Sequence, residues 1–216
     1  MNIYRYLPYV LIPISLVVYE IATFFVMLVY PFNSILVSRY EPQNAFIAMF
    51  WYDGIGNIMF FIGVSLLIIP MLLYLSLQQK YLRVLFFIFA SFILSYYAIF
   101  YWATNLATPY QSGYGQSGVV YAMFGLIIGM YISDAFLLLL RRRLYDIIVP
   151  IIVLIPLVLL MYILPVMFYS ETLGAIYIVH RIAFEYGIIS GIVFSVFEGS
   201  FSILLGGSLY EKTVVA

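Results

Sequence analysis

The sequence contains no cysteine, a single histidine and few charged residues. Without cysteine, neither a disulfide framework nor a thiolate metal site is possible. Charged residues make up 8% of the 216 positions and cancel to a net charge of zero. This balance leaves no basic face for nucleic acid and no acidic tail. We therefore expect no metal, no cofactor and no nucleic-acid partner.

The sequence is instead dominated by hydrophobic residues, which make up 66% of the chain. An ordinary soluble domain carries roughly 25% charged residues, about three times the proportion found in this sequence. One small core could not bury so much apolar surface, and the composition is also unlike that of disordered chains. These proportions predict an all-α polytopic membrane protein.

Six segments are long and apolar enough to span a bilayer, which requires about 20 residues. The second and sixth exceed a minimal span, so they have length to tilt or to extend into the interface. We predict a single membrane domain over residues 1–216, with helices at about 7–30, 46–77, 82–104, 117–140, 147–168 and 174–207.

Lysine and arginine residues predict the orientation of this domain. Seven of them fall on one side of the predicted membrane, and only Arg39 and Arg181 fall on the other. Because positive residues favour the cytoplasmic side, we expect both termini to be cytoplasmic in a cytoplasmic-type membrane. The loops near residues 31–45, 105–116 and 169–175 would then face outside. The seven are Arg5, Lys80, Arg83, Arg141, Arg142, Arg143 and Lys212.

Three polar features fall at a similar depth near the outer side of the predicted membrane. Ser117 opens the fourth segment, where unpaired backbone N–H groups can stabilise an anion. His180 lies near the outer end of the sixth segment. Asp53 and Asn57 lie four residues apart in the outer part of the second segment and share a helix face. Polar groups inside a membrane need a partner or a function.

Small residues at intervals of four predict that the fourth and sixth helices pack closely. The sixth segment carries Ala183, Gly187, Gly191, Ser195 and Gly199, and the fourth carries Gly125, Gly129 and Ser133. This packing would bring Ser117 and His180 together.

A serine within reach of a histidine can act as a nucleophile with its base. The backbone N–H of Ser117 and the Asn57 amide could stabilise the oxyanion of an acyl-transfer reaction. Each feature also has a structural interpretation: Gly-Ser stretches commonly join loops to helices, and a lone histidine or Asn57 can simply bridge two helices.

The acidic residues allow several interpretations. Glu20, Glu185 and Glu198 could be buried and neutral, bonded to Arg181, or exposed to a water-filled cavity. Asp134 and Asp146 could pair with the arginines at 141–143. A lining of acidic residues would suit a small transporter or channel, but the halves of the sequence show no convincing inverted repeat.

The segment from Gly115 to Ala122, which includes Gly118, resembles the Gly-x-Ser-Gly segment of rhomboid intramembrane serine proteases. His180, followed by Gly187, is similar to the family's sixth-helix pattern His-x-x-Gly-x-x-x-Gly. The resemblance implies a six-helix bundle in which Ser117 is the nucleophile and His180 the base. It also implies cleavage of transmembrane segments of other membrane proteins, without a cofactor.

The resemblance extends to two further residues. Tyr121 matches the aromatic residue that stacks on the catalytic histidine, and Asn57 matches an oxyanion-hole donor of the second helix. Asp53 stands where the family usually has histidine, and Ala183 stands where it has glycine. The loop between residues 31 and 45 is shorter than the family's, which carries a Trp-Arg pair. Asp53 could donate a hydrogen bond to an oxyanion only in its protonated form.

Two hypotheses follow from this resemblance. The first is an intramembrane serine endopeptidase that cleaves its substrates near the outer face through an acyl-enzyme. The alternative is a rhomboid-like pseudoprotease that binds membrane helices without cleaving them, for which Asp53 is the best support.

Overall fold

The computed structural model describes a mostly helical chain over residues 7–31, 36–50, 81–109, 111–113, 117–140 and 174–204, together with residues 148, 152, 155 and 159. Five helices lie in these ranges: α1 (Leu7–Val29), α2 (Ala45–Ala48), α3 (Tyr81–Tyr101), α4 (Ser117–Leu140) and α5 (Gly174–Leu204). A π-helical turn, Trp102–Leu106, continues α3.

Three helical stretches are long and apolar enough to cross a membrane: Arg83–Leu106, Ser117–Phe136 and Tyr177–Glu198. α1 contributes a shorter apolar stretch, Ile14–Val29. These four helices correspond to the first, third, fourth and sixth predicted segments. Most of the fifth segment and the second segment from residue 51 onward lie outside the described residues.

The second predicted segment differs from the structure at its start. We expect one helix from about residue 46, whereas Ala45–Ala48 form a four-residue helix that follows a 3₁₀ turn at Pro42–Asn44 and is capped at Met49. The hydroxyl of Tyr19, near the middle of α1, donates to the carbonyl of Met49 over 2.6 Å. Phe50 packs against Tyr19 and against Phe92, near the middle of α3. Met49 and Phe50 therefore contact α1 and α3 near the middle of each helix.

α4 is the central helix, with buried residues throughout its N-terminal half (Gly118 to Tyr131, apart from Tyr121). α5 runs parallel to it and α3 antiparallel, because Gly118 faces Ser95 and Val179, whereas Arg83 bonds to Asp134. We call the end of the bundle at which α4 begins the Ser117 end, and the opposite one the Arg83 end.

Glycines allow the backbones of α4 and α5 to touch. A Cβ on Gly125 or Gly129 would overlap the carbonyl oxygen of Phe184 or Ile188, and a Cβ on Gly191 would overlap that of Leu126. A Cβ on Gly187 would lie 2.8 Å from the carbonyl oxygen of Ala122. The predicted small-residue pattern thus coincides with the contact, since only glycine permits this approach.

The two loops at the Ser117 end are joined by a short antiparallel ladder. Strand β1 (Val37–Ser38) pairs with β2 (Ser112–Gly113), with Val37 opposite Gly113. Val37 is completely buried. The ladder therefore connects the chain after α1 to the chain just before Ser117.

Three helices are connected at the Arg83 end by one buried arginine. The Arg83 guanidinium donates two hydrogen bonds to Asp134, of 2.6 and 2.8 Å, and a third from Nε to Glu198. The Arg83 side chain is only 3% exposed, against 14% for Asp134 and 21% for Glu198. Bidentate pairing fixes the geometry as well as neutralising charge. Asp134 thus pairs with Arg83, while residues 141–143 and Asp146 lie outside the described residues.

Replacing Arg83 by glutamine should destabilise the fold by about 3–5 kcal/mol, because two partly buried carboxylates would lose their cation. Arg181→Gln is the matched control, since Arg181 forms an exposed pair with Glu185 that should contribute less than about 1 kcal/mol. Unfolding midpoints in detergent would compare the two variants. Equal losses of stability would contradict a special role for the buried cluster.

Candidate active site

The Ser117 hydroxyl lies 2.6 Å from Nε2 of His180. The two residues are 63 positions apart in the sequence and belong to α4 and α5, which the glycines hold in contact. A hydroxyl oxygen at this distance from an imidazole nitrogen is within hydrogen-bond range, the geometry required for proton transfer between them.

Tyr121, one turn after Ser117, fixes the plane of the histidine ring. The Tyr121 and His180 rings are nearly parallel, with centroids 4.2 Å apart and an interplanar angle of 8°. Among the described residues, no carboxylate bonds to the His180 ring. In this part of the chain, the His180 ring is oriented by the stacked Tyr121 ring and by the Ser117 hydroxyl at Nε2. We call Ser117 and His180 the dyad.

Ser117 begins α4. Its N–H is therefore one of the N–H groups at the helix start that have no intrahelical carbonyl partner. Such a group is available to a developing oxyanion. The other two predicted oxyanion contributors, Asp53 and Asn57, lie outside the described residues.

Small residues allow three helices to converge beneath the dyad. Ala98 of α3, Ala122 of α4 and Ala183 of α5 are all completely buried and form one apolar cluster. Ala183 occupies the position at which the family pattern has glycine, and the methyl group is accommodated in this cluster. Alanine at residue 183 therefore preserves close packing next to His180.

Gly118, predicted as a helix-packing residue, lies against both neighbouring helices. A Cβ at residue 118 would lie 2.8 Å from Oγ of Ser95 on α3 and 3.9 Å from a Val179 methyl group on α5. Ser95 is completely buried, and its hydroxyl has no hydrogen-bond partner in the described part of the chain. The Ser95 hydroxyl is therefore the group that a larger residue at position 118 would displace.

Ser95 is not among the residues predicted from the sequence, although its spacing from Ser91 was a usable signal. Ser91 and Ser95 lie four residues apart on the third predicted segment, which is the same small-residue spacing used for the fourth and sixth. Both are buried in the structure. That spacing would have indicated a third close-packed helix next to Ser117.

Two glutamates of α5 form ion pairs with arginines. Glu185 bonds to Arg181 over 2.8 Å, and Glu198 bonds to Arg83 at the opposite end of the bundle. Within the described ranges, no group of three or more His, Asp or Glu side chains is placed to hold a metal ion. The chemistry that this arrangement offers is proton transfer between Ser117 and His180.

Comparison of the chain with protein-family models, with curated proteins and with solved structures found no match in any of the three.

A double substitution tests the packing of Ser95 on Gly118. Gly118→Ala should cost about 1–3 kcal/mol through overpacking. Adding Ser95→Ala should recover most of this loss, because Cβ of Ser95 would remain at 3.8 Å, an ordinary contact distance. Unfolding midpoints of both single variants and the double variant complete the cycle. Additive losses would show that Ser95 is not the obstacle.

Proposed function

We propose that this protein is an intramembrane serine endopeptidase of the rhomboid type, with Ser117 as nucleophile and His180 as general base. The observation that carries the proposal is the 2.6 Å contact between the Ser117 hydroxyl and Nε2 of His180. The resemblance of residues 115–122 to the family's nucleophile segment supports the same assignment.

The contact suits acyl transfer in two half-reactions. Nε2 of His180 accepts the hydroxyl proton while Oγ of Ser117 attacks the carbonyl carbon of a substrate peptide bond. The tetrahedral intermediate collapses as the imidazolium returns the proton to the leaving amine, leaving an acyl-enzyme. A water molecule, deprotonated by the same nitrogen, then attacks the ester. The imidazolium returns this proton to Oγ of Ser117 as the carboxyl product leaves, which restores the hydroxyl.

Three donors are proposed for the oxyanion of each tetrahedral intermediate. The backbone N–H of Ser117 is the first, at the start of α4. The Asn57 amide is the second, from the family resemblance. Asp53 would be a third only when protonated, because an ionised carboxylate cannot donate and would repel the oxyanion.

The proposal includes six membrane-spanning helices with both termini in the cytoplasm. Arg39 lies between β1 and α2 at the Ser117 end, whereas Arg83 lies at the opposite end, in agreement with the sides that the positive residues predict. Cleavage would then occur near the outer face. The substrates would be transmembrane segments of other proteins, which reach Ser117 through the lipid bilayer.

The two alternative functions, a pseudoprotease and a transporter, would use the polar residues differently. A pseudoprotease that only binds helices has no chemical use for a hydroxyl on Nε2 of His180. A transporter or channel is motivated by Glu20, Glu185 and Glu198, but Glu185 and Glu198 form ion pairs and Glu20 also has an interaction partner. These pairs leave the dyad as the polar feature that most needs a chemical function.

Fluorophosphonate labelling of detergent-solubilised protein tests the dyad directly. Wild-type protein should be labelled, whereas Ser117→Ala and His180→Ala should abolish labelling, since one removes the nucleophile and the other removes its base. Ser91→Ala is the control, because the Ser91 hydroxyl bonds only within its own helix, to the carbonyl of Ile88. Folded wild-type protein that takes up no probe would favour the pseudoprotease.

Substitution of Tyr121 tests whether its stacked ring positions His180. Tyr121→Phe should keep the labelling rate because the stacked ring remains. Tyr121→Ala should reduce it between about twofold and tenfold, in line with the value of about 0.5–1.5 kcal/mol for an aromatic pair. The rate of label incorporation, measured on samples with matched unfolding midpoints, gives the comparison. An unchanged rate in Tyr121→Ala would argue against a positioning role.

A further inference from the structure

A charged pair is exposed on the surface of a helix that is apolar enough to span a membrane. Arg181 and Glu185 lie inside the stretch Tyr177–Glu198 and are bonded through Nε and Oε1 over 2.8 Å. Their side chains are 52% and 41% exposed. Charged groups on the lipid-facing surface of a spanning helix are costly unless a polar group meets them.

A group of tyrosine rings includes Tyr186, the residue that follows Glu185 on α5. The rings of Tyr97 on α3 and Tyr186 on α5 meet edge to face with centroids 5.5 Å apart, and both side chains are exposed. Tyr101 stacks on Tyr97 with centroids 5.9 Å apart. Tyrosine is typical of the region where lipid headgroups meet the hydrocarbon. The two helices thus present aromatic and charged groups at one level.

Towards the Arg83 end, exposed apolar residues follow these groups on both helices. The face of α5 that carries Arg181 and Glu185 continues at intervals of four with exposed Ile189, Val193 and Phe197. On α3, the face that carries Tyr97 continues in the same direction with exposed Ile93 and Phe89. The apolar stripes of the two helices therefore extend from the charged pair in one direction.

We infer that this face binds one zwitterionic phospholipid. Arg181 meets the phosphate, for which guanidinium geometry is well suited. Glu185 and the exposed ring of Tyr186 meet the ammonium group of the same headgroup. The acyl chains lie along the apolar stripes. A pair without net charge matches a headgroup without net charge, whereas an anionic lipid would leave Glu185 facing a negative headgroup.

Native mass spectrometry of the detergent-solubilised chain would test the site with dioleoylphosphatidylethanolamine as the probe. Dioleoylglycerol has the same chains without phosphate or amine and reports chain binding alone. The test variant carries Arg181→Gln and Glu185→Gln. The control carries Arg39→Gln and Glu41→Gln, which remove the same two charges from another exposed segment.

The wild type and the control should retain one phosphatidylethanolamine, and the test variant should bind it about tenfold more weakly, as expected for losing a charge-assisted hydrogen bond. Binding of dioleoylglycerol should be the same in all three. The inference is overturned if the test variant binds phosphatidylethanolamine as the wild type does, or if dioleoylphosphatidylglycerol binds more tightly. Dimers that disappear only in the test variant would also overturn it, by showing a protein interface. None of these readouts depends on Ser117 reactivity.

Discussion

The direct backbone contact between α4 and α5 is the constraint on which the candidate site depends. Gly125 and Gly129 on one helix, and Gly187 and Gly191 on the other, place main-chain carbonyls where a side chain would otherwise stand. In a membrane, helix association depends on such close van der Waals contact, because the hydrophobic effect does not drive helices together there. The contact fixes both the separation and the relative height of the helices that carry Ser117 and His180.

Other interactions hold the remaining helices around this pair. At one end, Arg83 joins α3 to Asp134 of α4 and Glu198 of α5. At the other, β1 pairs with β2 just before Ser117. Between the two ends, Phe50 packs against the middle of α1 and of α3 through aromatic rings. The dyad thus lies in a bundle that is fastened at both ends as well as along its centre.

The bundle uses polar groups in two different ways. At the Arg83 end the cation is enclosed by its carboxylates, so that its charge is balanced within the protein. The Arg181–Glu185 pair is turned outward, and its environment is set by what surrounds the protein. Both are ion pairs within apolar helices. The enclosed pair contributes to stability, whereas the outward pair lies on a surface that other molecules can contact.

The helical class and the close-packed faces of the fourth and sixth helices can be predicted from the sequence, because apolar run length and small-residue spacing are local properties of a helix. His180 is distinctive as the single histidine, and Ser117 as the residue that opens an apolar segment, whereas Tyr121 is identified only through the resemblance of residues 115–122 to the rhomboid nucleophile segment.

The contacts of Arg83 with Asp134 and Glu198, and of Ser95 with Gly118, could not be predicted in this way. Neither could the end of the short helix Ala45–Ala48 at Met49. The described helices are apolar on most faces, so hydrophobic periodicity does not specify which face meets which neighbour. Those contacts depend on the rotation and height of each helix, which the tertiary structure sets.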